Sequence, residues 1–217
     1  MRVIGGIRYV ILALLHATGC SMQCMIVPVT SFQQNCSILK CPETGDIAVI
    51  DPGGDLDRID EAVKQLGGQV SLVLLTYGHL DHCAQADQYK QRHNVPLIGP
   101  HKDDAFWIDQ LPDYCKMAGF PHADAFTPDR WLEEGDIVEF GRQKLDVIHT
   151  PGHTPGHLVF YSPLQKLAVV GDVLFQGSIG RTDFPRSNHD DLINSITGKL
   201  WPLGDDVQFI PGHGPCS

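Results

Sequence analysis

Apolar positions along this chain come in short blocks closed by turn residues. Three β-rich runs, Met25 to Thr30, Asn35 to Lys40 and Ile47 to Asp51, are separated by segments such as Pro42-Glu43-Thr44-Gly45 and predict an antiparallel meander. Asp51-Pro52-Gly53-Gly54-Asp55 stops the third strand and supplies helix-capping carboxylates, after which Ile59, Ala62, Val63 and Leu66 recur at helical spacing. Val70 to Leu75 is a continuous apolar run that reads as a buried strand. Val95 to Gly99 repeats that signal after a helix-like segment around residues 84–92, so the middle of the chain reads βαβα. Residues 101–130 carry large apolar residues in a less regular pattern broken by Pro112 and Pro121, a helical excursion with a loop. Strands return at Ile137 to Phe140, Lys144 to His149, Leu158 to Tyr161 and Leu167 to Val170; a helix at about Asp190 to Leu200 and a strand at Val207 to Ile210 follow.

Two half-molecules, each of strands and then helices, fit this order. The expected class is α/β of the α+β kind, a four-layer αββα sandwich rather than a doubly wound parallel sheet. The 217 residues suit one domain, expected over residues 22–217. Residues 1–21 are set apart. Arg2, the apolar run Tyr9 to Leu15 and Ala17-Thr18-Gly19-Cys20 are similar to a bacterial lipoprotein signal, but Arg8 and Gly5-Gly6 interrupt it and leave seven uninterrupted apolar residues. An upstream start codon or cloning remnant is the preferred reading, with lipoprotein-type export as the alternative.

Charge narrows the partners. Lys and Arg total 16 against 26 Asp and Glu, and a net charge of -10 repels phosphate backbones and anionic lipid, so neither nucleic acid nor membrane is expected. Seven cysteines without a CxxC pair, an odd number, point to a reducing compartment and a cytoplasmic location. The 11 histidines direct the search for chemistry.

The apolar strand ending at Leu75 runs into Thr76-Tyr77-Gly78-His79-Leu80-Asp81-His82, which gathers three metal-competent side chains in one turn. Three more segments share that form, a β-like run followed by small turn residues: His149 to His157 containing His153, Gly171-Asp172, and Pro211-Gly212-His213-Gly214. Imidazole and carboxylate donors without Cys suit zinc, with iron or manganese as alternatives. Six such groups exceed the needs of a single zinc and imply two metals. His93, His101, His122 and His189 read as ordinary turn or surface histidines. His157 reads as structural, with a hydrogen-bonding role toward the centre as the alternative.

In this order and spacing, Asp51-Pro52-Gly53, Thr76-x-x-His79-x-Asp81-His82, Thr150-Pro151-Gly152-His153, Gly171-Asp172 and Pro211-Gly212-His213-Gly214 resemble the metallo-β-lactamase superfamily across residues 25–215. Phe32-x-x-Asn35-Cys36, Thr127-Pro128-Asp129-Arg130-Trp131-Leu132 and Gly180-Arg181-Thr182-Asp183-Phe184-Pro185-Arg186 narrow the resemblance to the short bacterial type II glyoxalases, the hydroxyacylglutathione hydrolases. That resemblance implies that Asp172 bridges two metals, with His79 and His153 on the first and Asp81, His82 and His213 on the second. It further implies that a metal-bound hydroxide, oriented by Asp81, attacks the carbonyl of a small-molecule thioester, with Arg181 among the substrate contacts. No serine or cysteine nucleophile is required, and Cys36 and Cys83 read as packing residues.

One position departs from the family pattern His-x-His-x-Asp-His: residue 77 is Tyr. A phenol with a reference pKa near 10 replaces a neutral imidazole in the first site, so one zinc rather than two is the expected resting content. Three functions compete. The first is a weakened thioester hydrolase; the second a single-metal or inactive protein of the same fold; the third an iron enzyme of the persulfide dioxygenase kind, which uses the very histidine that Tyr77 replaces. Nothing in the sequence fixes the oligomeric state.

Overall fold

The computed structural model describes residues 21–217 with their side chains and, before them, the backbone of Arg2–Ile4 and Ile7–Ala13. Seven strands form the first sheet in chain order: β1 (Arg2–Ile4), β2 (Ile7–Ala13), β3 (Gln23–Val29), β4 (Gln34–Lys40), β5 (Asp46–Ile50), β6 (Gln69–Leu74) and β7 (Leu97–Ile98). Pairing is antiparallel through β5, as the meander predicts, and parallel from β5 to β7, as the βαβ reading predicts. The second sheet has the order β14-β11-β10-β9-β8, built from β8 (Ile137–Phe140), β9 (Gln143–His149), β10 (Leu158–Ser162), β11 (Leu167–Gly171) and β14 (Gln208–Pro211). Here β14 lies parallel to β11 and the other pairs are antiparallel.

Period-two alternation sends each strand's side chains to two different cores. From β3 to β5, Met25, Val27, Cys36, Ile38, Ile47 and Val49 face α1 (Leu56–Leu66), α3 (Ala86–His93) and α5 (Leu111–Ala118). Their neighbours Cys24, Ile26, Leu39, Ala48 and Ile50 face the second sheet and meet Val138, Leu145, Leu158, Phe160 and Val169. On the far side of that sheet Val159, Ala168 and Val170 pack on Leu192 of α6 (His189–Ser195) and on Ile196 and Leu200 beyond it. Helices, sheet, sheet and helix are therefore stacked in the expected four layers. A bulge at Ser71 shifts the β5–β6 register, so Val70 and Leu72 enter different cores although two residues apart.

Several boundaries differ from the sequence reading for local reasons. The run Val95 to Gly99 shrinks to Leu97–Ile98, because Pro96 offers the ladder no N–H. The segment around residues 84–92 is α3, as the pattern predicts, and a single-turn helix that the pattern did not show, α2 (Leu80–Cys83), precedes it. The last helix is capped by the Asn188 side chain, which accepts from the N–H groups of Asp190 and Asp191, and continues after Ser195 as a wider π-helical turn over Ile196–Leu200. The two-residue strands β12 (Leu174–Phe175) and β13 (Ser178–Ile179) were too short to show as a pattern. At the other end, β2 ladders onto β3, placing that backbone along the sheet edge. The signal-like ending at residues 17–20 lies outside the described residues.

Candidate metal centre

All the sequence-predicted ligands sit at one end of the sandwich, on the loops that leave the strands. The turn after β6 carries His79 and leads into α2 with Asp81 and His82; the loop from β9 to β10 carries His153; Asp172 follows β11 and His213 follows β14. Asp172 stands in the middle. Its Oδ1 is 3.6 Å from His82 Nε2, and its Oδ2 is 3.8 Å from His153 Nε2 and 3.7 Å from His213 Nε2. Asp81 Oδ2 lies 3.1 Å from His213 Nε2 and 3.8 Å from His82 Nε2, and His153 Nε2 is 3.2 Å from His79 Nδ1. Asp81, His82 and His213 have donor atoms all within 4.8 Å of one another. Gly212 makes room for this crowding, since a Cβ there would collide with Asp172 Oδ1 and His82 Cε1.

Three of the four imidazoles are anchored on one nitrogen and present the other to the centre. His82 Nδ1 donates to Asp51 Oδ2 at 2.8 Å, His153 Nδ1 to the Arg181 carbonyl at 2.8 Å, and His213 Nδ1 to the Phe32 carbonyl at 3.1 Å. This is the arrangement that fixes tautomer and orientation in metal-ligating histidines. His82 Nε2 and Asp172 Oδ1 are buried without hydrogen-bond partners, as is His79 Nε2. Unpaired buried polar atoms are costly, and a cation among them would satisfy the first two. The donor set, imidazole and carboxylate only, fits zinc, iron or manganese.

The metal-free electrostatics follow from burial against nearby charge. Burial works against a charged His82, but the Asp81 charge and the Asp51 hydrogen bond outweigh it and push the ring up to about 9. Burial would raise Asp81, yet His82 and His213 bring it down to about 2. His79 and His153 are driven below the usual imidazole range, mainly by burial.

Tyr77 is buried among these groups. Its ring centroid lies 4.3 Å from that of His82, 4.6 Å from His157, 4.9 Å from His79 and 5.1 Å from His153. Burial first, then the charges of Asp172, Asp81 and Asp51, hold the phenol well above its ordinary pKa, so it stays neutral. His157 is not a passive core residue: its Nε2 accepts the Asp172 N–H at 3.1 Å and so fixes the central carboxylate's backbone. Two further residues escaped sequence reasoning. Asp51, expected to cap α1, instead accepts from the Thr76 N–H and hydroxyl and orients His82; Asp55 sits at the cap position but bonds the Thr30 N–H. Asp104, buried, accepts three hydrogen bonds from the two loops that carry His79 and His153.

All the candidate ligands but His82, which is buried behind them, line a cleft of about 530 Å³ with apolar walls from Phe32, Phe175, Ile179 and Phe184. Arg181 lies at its exposed rim, bidentate to Asp183 and 4.5 Å over the Phe184 ring. A larger cleft of about 730 Å³, between the start of α1 and Phe120-Pro121, contains none of the six ligands. His189 is exposed, His93 and His122 pair with Asp60 and Asp124, and His101 stacks on His149.

Residues 29–213 match the family model of the metallo-beta-lactamase superfamily, and the chain belongs to that superfamily of metal-dependent hydrolases. It is 46% identical over 194 residues to the hydroxyacylglutathione hydrolase GloC of Haemophilus influenzae, covering 89% of this chain and 91% of that one. It is 32% identical to the probable metallo-hydrolase YqgX of Bacillus subtilis, over 87% and 89% of the two chains. Among solved structures, the BLEG-1 B3 metallo-beta-lactamase superposes with a TM-score of 0.81 at 30% identity, covering 88% of this chain and 92% of that one. TTHA1623 in a di-iron-bound form gives 0.79 at 30% identity, covering 88% and 93%.

Proposed function

We propose that this protein hydrolyses small-molecule thioesters of the hydroxyacylglutathione type. The observation that carries the reading is the convergence of His79, Asp81, His82, His153, Asp172 and His213 at one end of the sandwich, five of them lining an apolar-walled cleft with His82 buried behind them, and three of the imidazoles already locked with a nitrogen facing the cluster. The 46% identity to GloC supports the substrate class. Among the described residues, no serine, threonine or cysteine stands free in the cleft as a competing nucleophile. Cys36 and Cys83 are fully buried with thiols pushed up by burial, and Ser178, the one Ser or Thr in the cleft lining, has its hydroxyl on the Ile179 carbonyl.

Asp81, His82, His213 and Asp172 would hold one metal, and His79, His153 and Asp172 a second. When bound, such a cation supplies the charge that acidifies a water and polarises a carbonyl. The protein's own groups do the rest. Asp81, ionised at all working pH values, accepts a hydrogen bond from the attacking water and aims its lone pair at the carbonyl carbon. Phe32, Phe175 and Phe184 cover the acyl group and keep bulk water out; Arg181 meets the polar end of the thiol carrier at the rim. Water adds to the carbonyl carbon through its oxygen and gives up a proton to solvent, the C–S bond breaks to leave a carboxylate, and the departing thiolate is protonated by solvent. Because Tyr77 withholds an imidazole from the His79/His153 half, that half is the weaker of the two. The free state of Cys24, Cys36, Cys41, Cys83, Cys115 and Cys216 supports a reducing, cytoplasmic setting.

Turnover of S-lactoylglutathione, measured beside metal content, tests this. Slow hydrolysis abolished by chelation is expected. Chelator-resistant hydrolysis would sink the mechanism, oxygen uptake with a persulfide in its place would reassign the protein to iron chemistry, and neither activity would leave a non-catalytic metal binder.

A further inference from the structure

We propose that Asp104 is a positioning residue that sets the spacing of His79 and His153, a role that rests on reading this cluster as a metal centre. Its carboxylate is fully buried at the start of α4 (Ala105–Asp109). Oδ2 accepts from the Gly78 N–H at 2.9 Å and from the Thr154 hydroxyl at 2.7 Å, and Oδ1 accepts from the Gly156 N–H at 2.6 Å. Gly78 immediately precedes His79, and Thr154 immediately follows His153. One oxygen atom therefore ties together the residues adjoining both histidines, whose facing nitrogens are 3.2 Å apart.

The loop that carries Asp104 is itself fixed to the same neighbour. His101 N–H donates to the Gly156 carbonyl, Asp104 N–H donates to the His101 carbonyl, and the His101 ring stacks on His149 with centroids 4.3 Å apart. The approach is close enough that a Cβ on Gly156 would lie 2.8 Å from Asp104 Cγ. None of these bonds reaches His82, which is held by Asp51. The centre thus has two buried carboxylate clamps: Asp51 holds the His82 ring and, through Thr76, the start of the turn, whereas Asp104 ties together the residues next to His79 and His153. With only two imidazoles left there, their spacing depends on the clamp.

Asp104→Ala and Thr154→Val are the test, with Asp51→Ala as the counterpart. Stepwise zinc affinities come from competition with a chromophoric chelator, and long-range ¹H–¹⁵N imidazole spectra are recorded on the metal-free proteins. Both Asp104→Ala and Thr154→Val should weaken the weaker zinc equivalent about 10- to 100-fold, leave the tighter one within about twofold, and move the His79 and His153 ring signals while His82 and His213 stay in place. Asp51→Ala should weaken the tighter equivalent and move the His82 ring signals, which the Asp104 and Thr154 variants leave in place. If the wild type takes a single equivalent, or none, the imidazole spectra decide alone, so a failed metal reading and a failed clamp are told apart. Should Asp104→Ala not fold, Thr154→Val, which removes one of the three bonds, carries the comparison. Equal loss of both equivalents, or unchanged His79 and His153 signals in a folded variant, would reduce Asp104 to a loop staple and overturn the proposal.

Discussion

Exchanging Tyr77 for histidine should raise bound zinc from near one toward two per chain and increase turnover. The magnitude has two opposing parts. The phenol ring is 1% exposed and fills the space among four imidazoles at centroid distances of 4.3–5.1 Å, so replacing it with a smaller ring leaves a void. Partial large-to-small exchange in a core costs about 1–3 kcal/mol, which the metal-free variant should lose in full. Against this, a restored ligand should strengthen the His79/His153 half by at least the 10- to 100-fold that an orienting partner alone is worth, or about 1.4–2.8 kcal/mol. Zinc at 100 times its dissociation constant adds about 2.7 kcal/mol to stability through binding. The sign of the stability change therefore inverts: Tyr77→His should melt below wild type in chelator and at or above it in excess zinc.

Elemental analysis after dialysis, thermal unfolding in chelator and in zinc, and separate determination of kcat and KM together make the assay. The gain should appear mainly in kcat, because a second cation acts on the developing charge rather than on substrate capture. If the wild type already holds two zinc ions tightly and Tyr77→His changes neither content nor rate, then Tyr77 does not deplete the first half and the reasoning fails.

Asp172→Ala should remove most bound metal and activity, since Asp172 faces both halves, whereas His189→Ala on the exposed start of α6 should change neither; equal metal content in the two variants would refute the ligand assignment. In chelator, stability should decline as pH rises from about 6.5 toward 9, because the unfolded chain releases the proton that folded His82 holds to about 9, with His213 raised in the same direction; His79, His153 and His157, all lowered, cost stability below the usual imidazole range, where only the unfolded chain takes up their protons. Scanning calorimetry between pH 5 and 9 checks this, and zinc should erase the alkaline decline, because it binds the deprotonated rings. A chain starting at Met22 should fold and bind metal as the full chain does, because the apolar pattern of the core begins at Met25; insolubility or lost metal would make the β1–β2 backbone an essential part of the sheet.

The clustering of the candidate ligands was legible because its signal is local. His79, Asp81 and His82 stand in one turn after an apolar run, and His153, Asp172 and His213 each follow a strand, so residue type and strand end coincide within a few positions. What holds the ligands was not legible, because it depends on contacts remote in sequence. Asp51 sits beside a helix start and has the form of a cap; its backbone φ of 57° turns the carboxylate back toward Thr76 and His82, 25 and 31 residues away. Asp104 belongs to the charged stretch Lys102-Asp103-Asp104, which resembles a solvated surface. Its burial is made by donors at Gly78, Thr154 and Gly156, 26 to 52 residues distant. The bulge at Ser71 escaped for the same reason, since a continuous apolar run carries no alternation from which a face can be assigned.

This division explains how the proposed centre can carry Tyr at position 77 and keep its other candidate ligands in order. The hydrogen bonds that orient Asp81, His82 and His213 come from Asp51, from one another and from the Phe32 carbonyl, while Tyr77 contributes ring packing against His82 at 4.3 Å. Tyr77 stacks on His157, whose Nε2 holds the Asp172 N–H, so the substituted ring supports the residue that positions the shared carboxylate. The substitution thus costs the centre a donor while preserving the packing beneath Asp172. A smaller apolar residue would have removed both.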